Sequence, residues 1–156
     1  MSRSGADLAL LLLGGYRTLV NAAMDELAAR GYKDFRPVHD FAMRAIAAGA
    51  DSASDLGRQM SVTKQGAAKT IEVLLDRGYV SRELDPGDAR RKRLQVTDLG
   101  DAVLTQGEAI FDELRGAWEK QVGAAELAIM EERLAQLIGN AAIRLDAPGW
   151  VAHEPH

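Results

Sequence analysis

Apolar residues recur every three or four positions along most of this chain, which is the spacing of a helix that buries one face. Six segments follow this pattern, and the helices predicted from them cover residues 6–30, 35–48, 52–60, 64–77, 97–122 and 124–145. Their combined length predicts a mainly α-helical protein. At 156 residues, the chain is expected to form a single domain with a sizeable core.

The most apolar stretch is the run Leu8–Leu13, inside the first predicted helix. It is far too short to span a bilayer. Asp7 and the shortness of the run also argue against a signal peptide. We therefore expect a buried helical segment there and no membrane association.

The helical spacing gives way to strand candidates between residues 79 and 96. Two short strands are predicted over Tyr79–Leu84 and Arg93–Val96, and Asp85–Asp88 between them has the composition of a turn. A two-stranded hairpin is marginal by itself, so it must pack on the helices. Two short helices, a strand, a basic hairpin tip and a second strand predict a winged helix-turn-helix, whose natural partner is double-stranded DNA.

The net charge of −4 is unusual for a DNA-binding protein until the charge is mapped along the chain. Residues 58–93 contain nine Lys/Arg against five Asp/Glu, whereas the rest of the chain has ten Lys/Arg against eighteen Asp/Glu. Four consecutive cations at Arg90–Arg93 make a chance fluctuation a poor explanation. The separation indicates a basic binding face on an acidic scaffold.

The composition excludes several kinds of chemistry. There is no cysteine, so disulfides, thiol catalysis and Cys-containing zinc sites are excluded, which suits a cytoplasmic protein. The three histidines are scattered, no nucleophile has a nearby base, and no glycine-rich phosphate loop is present. His153 and His156 are better explained as part of a loose tail than as metal ligands. We expect neither enzymatic activity nor a cofactor or metal.

The helix that begins at Lys64 is the candidate for reading DNA, because such a helix reads base edges with its N-terminal side chains. Lys64, Gln65 and Lys69 supply donors and an acceptor there, and Gln suits adenine whereas Lys suits guanine or phosphate. Thr63 is a good N-cap, and Ala68 is small enough to contact a thymine methyl. Taken alone, this helix fits a solvated polar face equally well.

The predicted hairpin tip carries the second candidate contact. Arg90, Arg91 and Lys92 can reach phosphates, and an arginine can enter a narrow minor groove. Asp88 can pair with Arg90 and fix its direction. The alternative is a solubilising run of charge, but the position of the run between two strands and after two helices favours DNA binding.

Several motifs occur together in this region. They are a D-x-R motif followed by basic residues and an aliphatic strand at Asp88–Leu94, a T-x-x-G motif at Thr97–Gly100, the helix start Val62–Gln65 and the segment Arg77–Val80. In these the chain resembles the MarR-type family of winged helix-turn-helix transcription regulators, over nearly its whole length and most specifically from Phe35 to Gly100. One departure is Ala89, where many members have Arg, which removes one phosphate contact.

The resemblance implies a homodimer in which helices from both termini pair. We expect residues 35–97 to form the DNA-binding lobe and residues 6–30 and 98–145 to form the dimerisation region of a single 156-residue chain. Family members often sense a small aromatic or phenolic ligand between these two parts. Binding of that ligand usually releases the DNA.

A ligand site of this kind would draw on residues at the junction of the two parts. The candidates are Tyr16, Arg36, His39, Met43 and Phe111. His39 titrates near neutrality and can bind an anion or a phenol. The simpler alternatives are that His39 is a packing or capping histidine and that Tyr16 and Phe111 belong to the core.

The sequence thus predicts a mainly α-helical winged helix-turn-helix protein with a small two-stranded wing and a helical dimerisation frame. We expect a transcriptional repressor, with an activator as the alternative, that binds palindromic operators as a homodimer and is released by a small ligand. One alternative is a winged-helix protein-interaction module that does not bind DNA, and another is a small helical enzyme or metabolite carrier. Salt-sensitive DNA binding separates the first function from the second.

Overall fold

The computed structural model describes residues 2–139, apart from the side chain of Ala89. In chain order, the elements are α1 (Gly5–Ala29), α2 (Pro37–Ala47), α3 (Ala53–Met60), α4 (Lys64–Asp76), β1 (Val80–Asp85), β2 (Asp88–Val96), α5 (Asp98–Val122) and α6 (Ala124–Ile138). The two strands form an antiparallel sheet. The prediction of a mainly helical chain with a two-stranded wing is confirmed. No helix within residues 2–139 is long and apolar enough to cross a membrane.

The chain divides into two compact units. The first contains the residues up to Phe35 together with Gln106–Arg133. The second, which we call the lobe, contains Arg36–Thr105 together with the described residues from Leu134 onward. The winged helix-turn-helix lies in the lobe, and α5 contributes its first turns to the lobe and the remainder to the first unit.

The first unit is built from α1 and from parts of α5 and α6. Ser4 and Asp7 begin α1 with a reciprocal capping box, in which each side chain accepts the backbone N–H of the other residue at 3.0 Å. The backbone hydrogen bond from Ser4, and then the one from its hydroxyl, lowers the pKa of Asp7. Leu27 of α1, Ile110 of α5 and Leu127 of α6 are buried in this unit.

The start of α1 departs from the expectation. Leu8–Leu13 is helical, but its five leucines are between 40% and 64% exposed in the single chain. The prediction of a buried segment is therefore wrong for one chain. Apolar spacing predicts that a face should be covered, but it does not specify whether the cover comes from the same chain.

The last two helices are joined by an ion pair. Arg115 of α5 donates from Nη2 to Glu131 Oε1 at 2.5 Å and from Nε to Glu131 Oε2 at 3.2 Å. This hydrogen bonding, and then the charge of Arg115, lowers the pKa of Glu131. Gly123 takes a left-handed φ of +96° between the two helices, which glycine allows without strain.

The predicted apolar faces of α5 and α6 are only partly buried. The helical spacing of residues 97–122 predicts that Leu99 and Val103 face inward. Val103 is buried, but Leu99 is 47% exposed, so the prediction is wrong for Leu99. On α6, Leu127 is buried whereas Met130, Leu137 and Ile138 are exposed. The remaining predicted positions of this helix, from Ala141 to Leu145, lie outside the described residues, as do His153 and His156.

The helix-turn-helix of the lobe is defined by two caps and a tight turn. Ser52 Oγ accepts the N–H of Asp55 at 3.1 Å to begin α3. Ser61 then turns the chain with a left-handed φ of +56°. A Cβ added at Gly57 would lie only 3.0 Å from the carbonyl oxygen of Val62, so a glycine allows the turn to pass close to α3.

The wing is longer than the sequence predicted. β2 begins at Asp88 rather than at Arg93. Backbone hydrogen bonds pair the strands whatever the side chains are, so a run of cations can extend a strand that faces solvent. Val80 pairs with Val96 and Leu84 pairs with Lys92, but the next pair is Asp85 with Asp88. Residues 89–91 therefore have no counterpart in β1.

The T-x-x-G segment joins the wing to α5 through close contacts. Thr97 Oγ1 donates to the carbonyl of Gly78 at 2.6 Å and accepts the N–H of Gly100 at 3.1 Å. A Cβ at Gly100 would overlap the carbonyl oxygen of Tyr79 and lie 2.7 Å from Val96 Cγ1. These contacts give a physical reason for both the threonine and the glycine of the motif.

Candidate nucleic-acid interface

The start of α4 presents a polar surface to solvent. Thr63 begins the helix, since its Oγ1 accepts the N–H of Gly66 at 3.0 Å. Lys64, Gln65 and Lys69 are exposed and Ala68 is half-buried. The opposite face is packed in the lobe, where Ala67, Ile71 and Leu74 are buried. The five residues predicted from the sequence are therefore brought together in the first turns of one helix, with three hydrogen-bonding side chains facing outward.

The wing tip is the second exposed polar surface, formed by Asp88, Arg90, Arg91 and Lys92. Asp88 does pair with Arg90, but its Oδ1 accepts the backbone N–H of Arg90 at 3.0 Å rather than holding the guanidinium. Asp85 Oδ1 accepts the N–H of Gly87 at 2.9 Å in the same way. The acidic residues of the turn thus shape the backbone of the tip, and the Asp88 carboxylate leaves the guanidinium of Arg90 to other partners.

Arg91 has an ionic partner that the sequence did not indicate. Its Nη2 donates to Oδ2 of Asp51, which lies in the loop between α2 and α3. The two residues are 40 positions apart, and Asp51 resembles any acid that precedes a helix. No local pattern in the sequence could have identified this pair.

The ion pair belongs to a small cluster at the start of α3. Arg58 of α3 donates to Asp55. The pKa of Asp55 is lowered, first by hydrogen bonding with the Asp51 side chain and then by the positive charges of Arg58 and Arg91. Arg91 therefore affects two neighbouring carboxyl groups, Asp51 through a hydrogen bond and Asp55 through its positive charge.

The five candidate ligand residues divide between the two units. Tyr16 is half-buried and Phe111 is 39% exposed, both in the first unit, so Phe111 is not a plain core residue. Arg36, His39 and Met43 lie in the lobe. His39 is buried and its Nδ1 accepts the N–H of Arg36 at 3.0 Å, which is the capping role considered above. The side chain of Met43 is fully buried.

A cavity of about 220 Å³ lies elsewhere in the lobe, between the end of α2, the loop that follows it and β2. Ile46, Gly49, Asp51, Arg93 and Gln95 are among its lining residues. None of the five candidate ligand residues lines it. The cavity instead lies beside the second half of β2, where residues 93–96 line it.

Comparison with known proteins identifies relatives of this fold. Residues 41–91, which run from α2 into the wing tip, match the MarR family. FabT of Streptococcus pneumoniae in complex with DNA is 17% identical, with a TM-score of 0.67 over 86% of this chain and 94% of that one. MarR of E. coli in its apo form is 18% identical, with a TM-score of 0.62 over 88% and 99% of the two chains.

A ligand-bound structure is similar to the same extent. CouR of Rhodococcus jostii bound to p-coumaroyl-CoA is 19% identical, with a TM-score of 0.59 over 92% of this chain and 100% of that one. At such identities the structural likeness shows a shared fold. The family match across the helix-turn-helix agrees with the resemblance found in the sequence: residues 41–91 match the MarR family, and the chain shares the winged-helix fold of these solved structures.

Proposed function

We propose that the protein is a cytoplasmic transcriptional regulator that binds palindromic double-stranded DNA as a homodimer. The observation that carries the proposal is the pair of exposed polar surfaces on one lobe, at the start of α4 and at the wing tip. A helix of this kind fits the major groove, and a basic hairpin fits the phosphates or the minor groove beside it.

The proposed roles follow from the chemistry of each side chain. Gln65 and Lys64 read base edges, Ala68 contacts a thymine methyl, and Lys69 binds phosphate. At the tip, Arg90 enters the minor groove and Lys92 binds the backbone. Thr63 and Asp88 shape the two elements through their caps, since each accepts a backbone N–H of its own segment.

The homodimer is proposed from the first unit. Its exposed leucines at Leu8–Leu13 and the exposed Ile129 and Met130 of α6 form faces that one chain leaves uncovered. Exposed apolar surface of this extent commonly marks an interface. We propose that residues 6–30 and 98–145 pair two chains and that residues 35–97 of each chain bind one half-site.

We further propose that the protein represses transcription and that a small aromatic or phenolic ligand releases it from DNA. The similarity to CouR, which was solved with p-coumaroyl-CoA, supports a ligand of this class. The residues proposed to contact it are Tyr16, Arg36, His39, Met43 and Phe111. An equilibrium titration of the operator complex with aromatic acids and their CoA thioesters tests this step.

Selection of bound duplexes from random DNA by the purified protein tests the proposed function. We expect an imperfect palindrome whose half-sites lie about 10 base pairs apart, centre to centre. The affinity for it should fall steeply with salt, because each phosphate contact contributes about −0.9 to the slope of log K against log salt. The protein-interaction alternative predicts no enriched sequence and no salt-sensitive binding.

A further inference from the structure

We propose that Asp51 is a positioning residue for the wing: it holds Arg91 against the body of the lobe, so that Arg91 orients the wing and leaves DNA contact to its neighbours. This inference rests on the proposed DNA-binding function and changes one expectation drawn from the sequence. Arg91, expected to bind phosphate, is assigned an internal role.

The surroundings of Asp51 make Arg91 its required partner. The side chain of Asp51 is only 14% exposed, whereas that of Arg91 is 57% exposed. Oδ2 of Asp51 receives Arg91, and Oδ1 is buried and accepts no hydrogen bond from any described residue. Arg91 donates a hydrogen bond to Asp51, and its loss would leave a largely buried carboxyl group beside the neighbouring carboxyl group of Asp55 without this cation.

The wing needs such an attachment near its tip. Leu94 is buried and anchors β2 in the lobe. Towards the tip, residues 89–91 have no counterpart in β1. The described side chains of this segment, Arg90 and Arg91, are both exposed, so neither is packed in the core of the lobe. Arg91 lies three residues beyond Leu94 and connects the unpaired segment to the loop between α2 and α3.

The pair also separates the roles of the consecutive cations. The guanidinium of Arg91 donates from Nη2 to a partly buried carboxylate, which holds it towards the lobe and offsets part of the charge that would attract a phosphate. The Asp88 carboxylate holds the backbone of Arg90 and not its guanidinium, and Lys92 is exposed. Arg90 and Lys92 are thus the residues of the tip that this arrangement presents to DNA.

Operator binding distinguishes the two roles of Arg91 through the effect of Asp51→Asn. Removing a negative charge beside a DNA-binding surface strengthens binding if that charge only repels phosphate. If Asp51 positions the wing, Asp51→Asn should instead weaken binding, by about 3- to 10-fold, and Asp51→Glu should restore most of the loss. Asp76→Asn, at an exposed acid at the far end of α4, removes the same charge as a control and should not weaken binding.

Arg91→Ala should weaken binding by a similar factor and leave the slope of log K against log salt unchanged. Arg90→Ala should reduce that slope by about one, as expected for a lost phosphate contact. The double variant Asp51→Asn/Arg91→Ala should bind no more weakly than Arg91→Ala, because the two side chains act as a unit. Additive losses, or a slope reduced by about one in Arg91→Ala, would show that Arg91 contacts DNA and would overturn the proposal.

A measurement made without DNA tests the positioning role of Asp51 independently of the proposed DNA-binding function. Amide hydrogen exchange across residues 85–92 should become faster in Asp51→Asn and in Arg91→Ala, but not in Asp76→Asn, with thermal melting as the check that each variant is folded. Unchanged exchange in both variants would overturn the positioning role even if the wild type binds DNA. If the wild type selects no duplex while exchange changes as expected, the DNA-binding proposal fails and the attachment of the wing stands.

Discussion

The first unit and the lobe bury their apolar residues to different degrees. In the lobe, Leu56, Met60 and Leu74 are fully buried, and its exposed surfaces at α4 and the wing tip are mainly polar. In the first unit, the leucines of Leu8–Leu13 are at least 40% exposed. The same helical spacing of apolar residues occurs in both. The helix-turn-helix of the lobe completes its core from its own chain, whereas the first unit is expected to need a second chain.

Making the exposed face of α1 polar tests most strongly whether the first unit needs a second chain. Leu8 and Leu12 lie one turn apart, and Leu8→Asp/Leu12→Asp removes both from any interface. If covering these half-exposed side chains in two chains contributes about 3–6 kcal/mol, dimer dissociation should become roughly 10²- to 10⁴-fold more favourable. Sedimentation at micromolar concentration measures it.

A matched substitution in the lobe serves as the control for this experiment. Leu84 is 62% exposed on the wing, and Leu84→Asp should leave the protein dimeric. A wild-type protein that sediments as a monomer, or a loss of dimer in both variants, would contradict the expected division between the two units.

Two glycines of α5 allow a comparison of packing within one helix. Gly100→Ala places a methyl group against the carbonyl of Tyr79 and should destabilise the protein by about 1–3 kcal/mol. Gly107 has nothing within 4 Å of an added Cβ, so Gly107→Ala should stabilise it by up to about 1 kcal/mol. Urea unfolding of both variants measures the difference, and equal destabilisation would contradict the close approach at Gly100.

A substitution at the wing tip should have a smaller effect, which is confined to the affinity for DNA. Arg90→Ala should lower the affinity for the selected operator and reduce the salt slope by about one, without changing the melting temperature. Arg82→Ala, which removes an exposed arginine from β1, is the matched control and should leave the slope nearer the wild-type value. Arg90→Ala binding that equals the wild type across the salt titration would remove the wing from the interface.

The smallest expected effect lies in the first unit, at the pair that joins α5 and α6. Because Arg115 lowers the pKa of Glu131, the pair stabilises the folded chain above the ordinary carboxyl pKa. That stabilisation is lost as the pH falls through the lowered pKa. Arg115→Ala should return the pKa of Glu131 towards its ordinary value, which an NMR titration of the carboxyl carbon measures; an unchanged pKa would show that the pair does not persist in solution.

Much of this fold could be predicted because its determinants are local. Ser52 and Thr63 cap helices within their own segments, and each predicted helix of residues 2–122 begins and ends within about two residues of the observed one. The T-x-x-G motif was recognised from resemblance, and the contacts of Gly100 now give its physical cause. The predicted DNA-contacting residues occupy two exposed surfaces of one lobe.

The errors arose where the determinants are not local. Leu8–Leu13 and Leu99 are apolar and exposed, and no pattern in one chain specifies what covers them. The pair between Asp51 and Arg91 joins residues 40 positions apart, and nothing near either residue indicates the other. The early start of β2 depends on the pairing of Asp88 with Asp85 and of Lys92 with Leu84, which the run of cations did not indicate.

Sedimentation of the protein with a fluorescent duplex that carries both selected half-sites tests the central claim most directly. We expect two protein chains to bind each palindromic duplex, with an affinity that falls as the salt concentration rises. Binding to a duplex with one half-site should be much weaker. Equal binding of the one-site duplex by a single chain would contradict the homodimeric arrangement. Absence of salt-sensitive binding to any selected duplex would contradict DNA binding itself.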